Sequence, residues 1–255
     1  LLLPVSVNSE SCGCSSQARG KRSILKNLDG KSKMVEISGD MILDEKDELI
    51  FENKTNKFRS SVTRKQRWAN GRIDYYYHHS FDNSDREVIR DALTAFSQYT
   101  SGCITFVEHS SKPRGNSVAI IKGGGCYSSV GVTGGAQTLS LGAGCVNKGT
   151  VQHEFIHALG FYHEQSRSDR DSYVTIHWDN IITGRGCTNY RMCKGCDISH
   201  SSFDLKSVML YSDGSFTCNG GRTITDKNDV PIKRARKATV IDVQKLMNYY
   251  ECRQK

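Results

Sequence analysis

No stretch of this chain approaches the roughly 18 consecutive apolar residues of a membrane-crossing helix, so it does not read as membrane-spanning. Proline is scarce, 3 residues against 23 glycines, which argues against a stiff linker and for tight turns and irregular segments. There is no internal repeat, and no RNA- or DNA-binding motif accompanies the net charge of +8. The basic residues are scattered apart from Lys233-Arg234-Ala235-Arg236-Lys237, a run that reads first as a solvated face. Nucleic acid is therefore not an expected partner. The length, 255 residues, allows one large domain or two small ones with a buried core.

Cysteine is plentiful. Ten of them, an even number, point to an oxidising, secretory setting and an extracellular destination. The chain opens Leu1-Leu2-Leu3-Pro4-Val5, which is either the tail of a signal peptide's apolar region, within residues 1–7, or an arbitrary start.

One stretch organises the rest: His153-Glu154-Phe155-Ile156-His157-Ala158-Leu159-Gly160-Phe161-Tyr162-His163. On a helix, His153 and His157 lie about 40° apart in projection and one turn along, so two imidazoles reach one ion. Glu154 points about 100° away from His153, near enough to the metal face to hold a water without being a ligand. His163 joins only if the chain turns back, since ten more helical residues would carry it about 15 Å along the axis. Gly160 stands where a helix needs a left-handed exit. Three histidines on one ion leave coordination positions open, which points to a single catalytic zinc rather than a structural one. A core helix with incidental histidines explains neither the glutamate nor the glycine.

Residues 1–59 differ in character from the remainder of the chain. Their apolar periodicity is weak, so they read as an extended segment lying on a folded body. They contain Cys12-Gly13-Cys14 and a glycosylation acceptor pattern, Asn53-Lys54-Thr55. From Arg64 onward the pattern is that of a globular domain. Arg72–Tyr77, Cys103–Glu108 and Ser117–Ile121 read as strands. Ser84-Asp85-Arg86-Glu87 reads as a capping box, with Ile89, Ala92, Leu93 and Phe96 on the apolar face of the helix it opens. The glycine-rich region 123–144 reads as a disulfide-closed loop, and a metal-binding helix runs from about Lys148 to Leu159. A last helix spans about Thr239 to Asn248, with Val240, Val243, Leu246 and Met247 as its apolar face.

The residues after the tripod narrow the reading. His163-Glu164-Gln165-Ser166-Arg167-Ser168-Asp169-Arg170-Asp171 continues into Tyr173-Val174-Thr175-Ile176-His177-Trp178-Asp179-Asn180-Ile181. This closely resembles the astacin family of zinc endopeptidases, which includes hatching enzymes, meprins and tolloid proteases, and the likeness covers about residues 35 to 252. The resemblance implies an α+β, metzincin-type domain in two lobes. A twisted mixed sheet and two long helices form the N-terminal lobe, and the C-terminal lobe is irregular and disulfide-rich. It implies that His153, His157 and His163 ligate zinc and that Glu154 is the general base for a zinc-activated water. Ser207-Val208-Met209-Leu210-Tyr211 resembles the family's methionine turn, with Met209 beneath the metal and Tyr211 stabilising the transition state. Leu210 departs from the histidine usual there. Glu164 corresponds to the residue that meets the mature amino terminus in the family, and a carboxylate there could otherwise orient the ligand beside it. The family's disulfides correspond to Cys103 with Cys252 and Cys126 with Cys145. Cys187, Cys193, Cys196 and Cys218 are then expected to form two further bridges within the C-terminal lobe, or less readily a second zinc site.

The same resemblance gives residues 1–59 a purpose, as a latency segment ahead of a catalytic domain at 60–255. Astacin pro-segments hold a Phe-x-Gly-Asp-Ile motif whose aspartate takes the open zinc position, and this chain has Ile37-Ser38-Gly39-Asp40-Met41. Asp40 is thus the expected blocking ligand, with a thiolate of Cys12 or Cys14 as the competing one. Activation is expected near Arg59-Ser60 by a trypsin-like protease. The expected whole is a secreted, monomeric zinc metalloendopeptidase in latent form, acting on proteins or peptides that add a strand near Tyr127-Ser128-Ser129. The Lys233–Lys237 run is a candidate source of a cation beside the scissile bond, favouring acidic side chains there. The rival readings are an idle zinc protein that binds partners and a disulfide-rich binding module without metal.

Overall fold

A computed structural model describes residues 12–14, 22–26, 32–44, 67–78, 81–193 and 201–252. Asn53 and the Arg59-Ser60 bond lie outside the described residues, as do Leu1 to Val7 and Cys196.

The centre is an eight-stranded mixed sheet. Its strands in chain order are β1 (Arg22–Lys26), β2 (Ser32–Ser38), β3 (Met41–Leu43), β4 (Arg72–Tyr77), β5 (Thr105–His109), β6 (Ser117–Ile121), β7 (Cys126–Ser129) and β8 (Ala136–Leu141). Across the sheet they run β1-β2-β3-β7-β8-β6-β4-β5. β5, β4, β6 and β8 are mutually parallel, while β7 is antiparallel to β8.

Two helices pack on the sheet in one core. α1 (Asn83–Tyr99) contributes Ile89, Ala92, Leu93 and Phe96, and α2 (Lys148–Ala158) contributes Val151, Phe155, Ile156 and Ala158. They meet Val118, Ile120, Leu139 and Leu141 of the sheet. The expected capping box at Ser84 is corrected. Asp82 is the N-cap, and its carboxylate accepts from Asp85 N at 2.8 Å, two residues before the serine. Asn147 caps α2 by accepting from Thr150 N at 3.0 Å. Almost every residue of α2 is buried, and its polar Gln152 is satisfied by Ala92 O (3.1 Å) and Ala238 N (2.9 Å).

The second lobe is built around Val174, Ile181, Tyr190, Phe203, Leu210, Tyr211, Ile224 and Ile232. It holds a two-stranded sheet of β9 (Val174–Ile176) and β10 (Ile224–Asp226) and the short α3 (Arg185–Thr188). The final helix, α4 (Val240–Tyr249), returns to the first core through Val243, Leu246 and Tyr249. Its expected apolar face is corrected at one end, since Val240 is 85% exposed in the first turn while Lys245 is buried.

Three further expectations change. The glycine-rich region is not a plain loop but folds as β7 and β8, bridged by Cys126–Cys145. Among the described residues, the leading segment supplies three strands rather than an extended chain lying on the body, and β3 pairs parallel with β7 (Met41 with Ser128, Ile42 with Ser129). The edge expected to receive a substrate strand is therefore already paired. Cysteine pairing differs as well. Cys103 bonds Cys252, but Cys187 and Cys218 reach back to the leading segment, as Cys14–Cys187 and Cys12–Cys218. Cys193 is also disulfide-bonded, so the alternative of a second zinc held by these sulfurs falls.

Candidate active site

α2 carries two of the tripod's imidazoles. At its end Leu159 is the C-cap and Gly160 takes φ +107°, with Gly160 N donating to His157 O at 2.8 Å. This left-handed exit turns the chain and brings His163 back against the helix. A Cβ at Gly160 would meet Tyr249 only at ordinary contact distance, 3.4 Å, so it is the positive φ that calls for glycine.

The structure gathers His153, His157, His163 and Asp40, whose ligand atoms all lie within 4.8 Å of one another. Nε2 of His157 and Nε2 of His163 are 3.2 Å apart. His153 donates Nδ1–H to Val208 O and His157 donates Nδ1–H to Phe161 O, each at 2.7 Å. Those carbonyls fix the tautomers, so both Nε2 atoms turn lone pairs into the same small space. The His157 lone pair faces His163 Nε2 at 3.2 Å and the Asp40 carboxylate, a donor set that suits a cation.

Asp40 closes the fourth side. Its Oδ1 is 2.9 Å from His163 Nε2 and 3.7 Å from His157 Nε2, and its Oδ2 is 3.1 Å from His153 Nε2. Ligand atoms at about 2.0–2.2 Å from a tetrahedral zinc stand roughly 3.3–3.6 Å apart, and the observed spacings of 2.9–3.7 Å bracket that range. Burial works to raise the Asp40 carboxyl, but His163 and His153 hold it well below the usual range. Burial lowers His157 to about 4, leaving it neutral, as a metal ligand must be.

Glu154 is buried beside the group, and its Oε2 has no hydrogen-bond partner among the described residues. Burial and the Asp40 charge both push its carboxyl well above the usual value. Tyr211 donates its hydroxyl to Asp40 Oδ1 at 3.4 Å, and its ring lies 4.4 Å from that of His163. Leu210 is buried in the second core, which accounts for an aliphatic residue at that position. The alternative thiolate latch fails, because Cys12 and Cys14 are both in disulfides.

Asp242 and Lys245, which sequence reasoning missed, help to hold this site in place, together with Glu164 and Arg234, which it singled out. Asp242 accepts from Ser207 Oγ (2.5 Å) and Val208 N (3.0 Å), fixing the turn whose carbonyl orients His153. Glu164 N donates to Met209 O at 2.9 Å, and Glu164 Oε1 accepts from Lys245 Nζ (2.5 Å) and Asp204 N (2.9 Å). Glu164 and Lys245 are thus a buried ion pair joining α4 to the loop of the third histidine. Gln165 Oε1 accepts from Tyr211 N at 3.2 Å. From the basic run, Arg234 reaches α2 and donates to Thr150 Oγ1 at 3.1 Å. Asp242 and Lys245 carry no sequence signal beyond that of an ordinary polar residue.

Comparison with known proteins gives a consistent answer. A family model described as astacin, a peptidase family, matches residues 60–251. The chain is 34% identical over 220 residues to the zinc metalloproteinase nas-4 of Caenorhabditis elegans, covering 84% of this chain and 68% of that protein. It is 41% identical over 202 residues to human meprin A subunit beta, covering 76% of this chain but only 28% of the relative. Among solved structures it resembles high choriolytic enzyme 1, a hatching enzyme zinc-protease of Oryzias latipes. The TM-score there is 0.66 at 34% identity, covering 73% of this chain and 94% of that one.

Proposed function

The chain belongs to the astacin family of zinc metallopeptidases, and from that membership we propose that it is a secreted endopeptidase held latent by its own leading segment. The observation that carries the proposal is the carboxylate of Asp40 inside the histidine tripod. Residues 1–59 are the latency segment and 60–255 the catalytic domain, and the family match itself begins at residue 60. A trypsin-like protease cutting near Arg59-Ser60 starts activation. The disulfides support an extracellular setting.

His153, His157 and His163 would hold the zinc. Bound there, the ion would supply Lewis-acid chemistry, acidifying water and polarising the scissile carbonyl. Glu154 receives the attacking water's proton and passes it to the leaving amine; burial keeps its carboxylate basic enough to do so. Tyr211 is placed to donate to an oxygen in the position now taken by Asp40 Oδ1, so its hydroxyl stabilises the charge that develops on the carbonyl. Asp40 occupies the space those oxygens need. Arg234, fixed to Thr150 and close enough for its charge to bear on both His153 and Glu154, favours acidic side chains beside the scissile bond. A peptide-library cleavage profile without acidic preference ends that part of the proposal.

Casein hydrolysis by the processed enzyme tests the whole. Glu154→Ala should lower it by about 10²- to 10⁴-fold while zinc content stays near one ion per chain. Undiminished hydrolysis in that variant would sink the mechanism.

A further inference from the structure

The leading segment is joined to the body twice, and a single activating cut would break neither joint. Cys12 bonds Cys218 and Cys14 bonds Cys187, at sequence separations of 206 and 173. The same residues are seated by hydrogen bonds: Gly13 N donates to Ile181 O (3.2 Å) and Cys14 N to Trp178 O (3.3 Å). Cys12 forms an antiparallel bridge with Ile182, and Cys14 packs on the second core beside Trp178 and Phe216. Asp40 lies downstream on the same stretch of chain. A cut anywhere between Asp44 and Arg67 leaves Cys12, Cys14 and Asp40 on one fragment and both partner cysteines on the other. Peptide hydrolysis adds one water across one amide bond and changes no oxidation state, so both S–S bonds survive it.

We propose that the once-cut protein is a disulfide-linked two-chain molecule in which the Asp40 segment remains a tethered competitor of substrate. Full activity then takes a second cut, between Cys14 and Asp40. The competitor role rests on reading Asp40 as the latch; the covalent retention does not. Residues 15–39 extend to about 85 Å when stretched, enough for the segment to leave the cleft while still attached. Attachment also stops it diluting away, because a linker of this length keeps its effective concentration near the millimolar range. Return to the cleft is favoured by the pairing of β3 with β7 and by the complete burial of Met41 and Leu43 against Val130, Tyr162 and Cys193. The sequence from 15 to 39 includes Arg22, Lys26 and Lys33, so a protease of the class that makes the first cut can also make the second.

Two forms of the full chain, loaded with zinc and kept free of reductant, decide this. One carries a sequence-specific protease site in place of residues 55–60; the other carries that site and a second in place of residues 15–20. After cutting, the first form should keep the intact mass plus one water until reductant splits it. Its peptide hydrolysis and its zinc loss to a chelator should both be at least about tenfold slower than in the second form, as expected for a millimolar tethered competitor. Escape of the amino-terminal fragment without reductant would overturn the retention, and equal rates of zinc loss would overturn the competition. If the peptidase reading itself were wrong, neither form would hydrolyse peptide, yet the mass and the zinc-loss rates would still give their answers.

Discussion

The carboxylate of Asp40 stands 2.9 Å from Nε2 of His163, with its second oxygen 3.1 Å from Nε2 of His153. A loop residue reaches that depth because the backbone before it comes unusually close to the site. Gly39 sits at φ +63°, and a Cβ there would lie 2.5 Å from Tyr211 Oη and 3.1 Å from Asn189 Oδ1. In the proposed latch, therefore, a glycine and an aspartate act together.

Gly39→Ala should loosen it. The left-handed backbone costs an alanine about 1–2 kcal/mol, and the contact with Tyr211 adds to that. The uncut variant is expected to hydrolyse peptide about tenfold faster than the uncut wild type, a gain that corresponds to about 1.4 kcal/mol. An initial-rate comparison checks this, and equal rates would mean that the approach of residue 39 is not limiting.

Asp242 serves two purposes from one carboxylate. It accepts from Ser207 Oγ and Val208 N, and it completes the capping box of α4 by accepting from Thr239 N at 2.9 Å. Asp242→Ala should remove about 1 kcal/mol of cap. Because it frees the turn that orients His153, it should also weaken zinc binding by about 10- to 100-fold. Competition with a chelating dye measures the second effect, and an unchanged affinity would assign Asp242 to stability alone.

Lys245 and Glu164 are each 6% exposed, and their partnership is the main charge compensation at that point of the core. Burial raises the Glu164 carboxyl against the pull of Lys245 and Arg167. Lys245→Met should cost about 3 kcal/mol, the low end for a broken buried pair, since Arg167 at 3.3 Å still faces the carboxylate. Glu164→Gln combined with Lys245→Met should recover most of that loss. Urea unfolding of the two variants checks the pair, and equal losses would show that the charges are not coupled.

The metal helix was legible because its signal is local: two histidines four apart, a glutamate beside the first and a glycine where the chain must turn. β4, β6 and the apolar face of α1 were legible for the same reason, since periodicity is a property of neighbours in sequence. β7 and β8 were not, because glycine-rich segments show no alternation and become strands through the partners they meet. Ser84 mimicked a cap that Asp82 supplies, as both precede the same apolar stripe. The bonds of Cys12 and Cys14 could not be read at all, because six otherwise unassigned cysteines allow fifteen pairings. Lys245 and Asp242 are invisible for a different reason: their burial depends on the loops that α4 meets, not on α4 itself.

The proposed latency of the uncut protein turns on Asp40, and a hydrolysis assay can isolate its part. Uncut wild type and uncut Asp40→Ala, both loaded with zinc, are compared on a quenched fluorescent peptide. The variant is expected to gain activity by about 10²-fold or more, the scale on which a tethered ligand is lost, with Glu154→Ala abolishing the gain. An Asp40→Ala protein that folds, holds one zinc and stays as inactive as the wild type would contradict the aspartate latch.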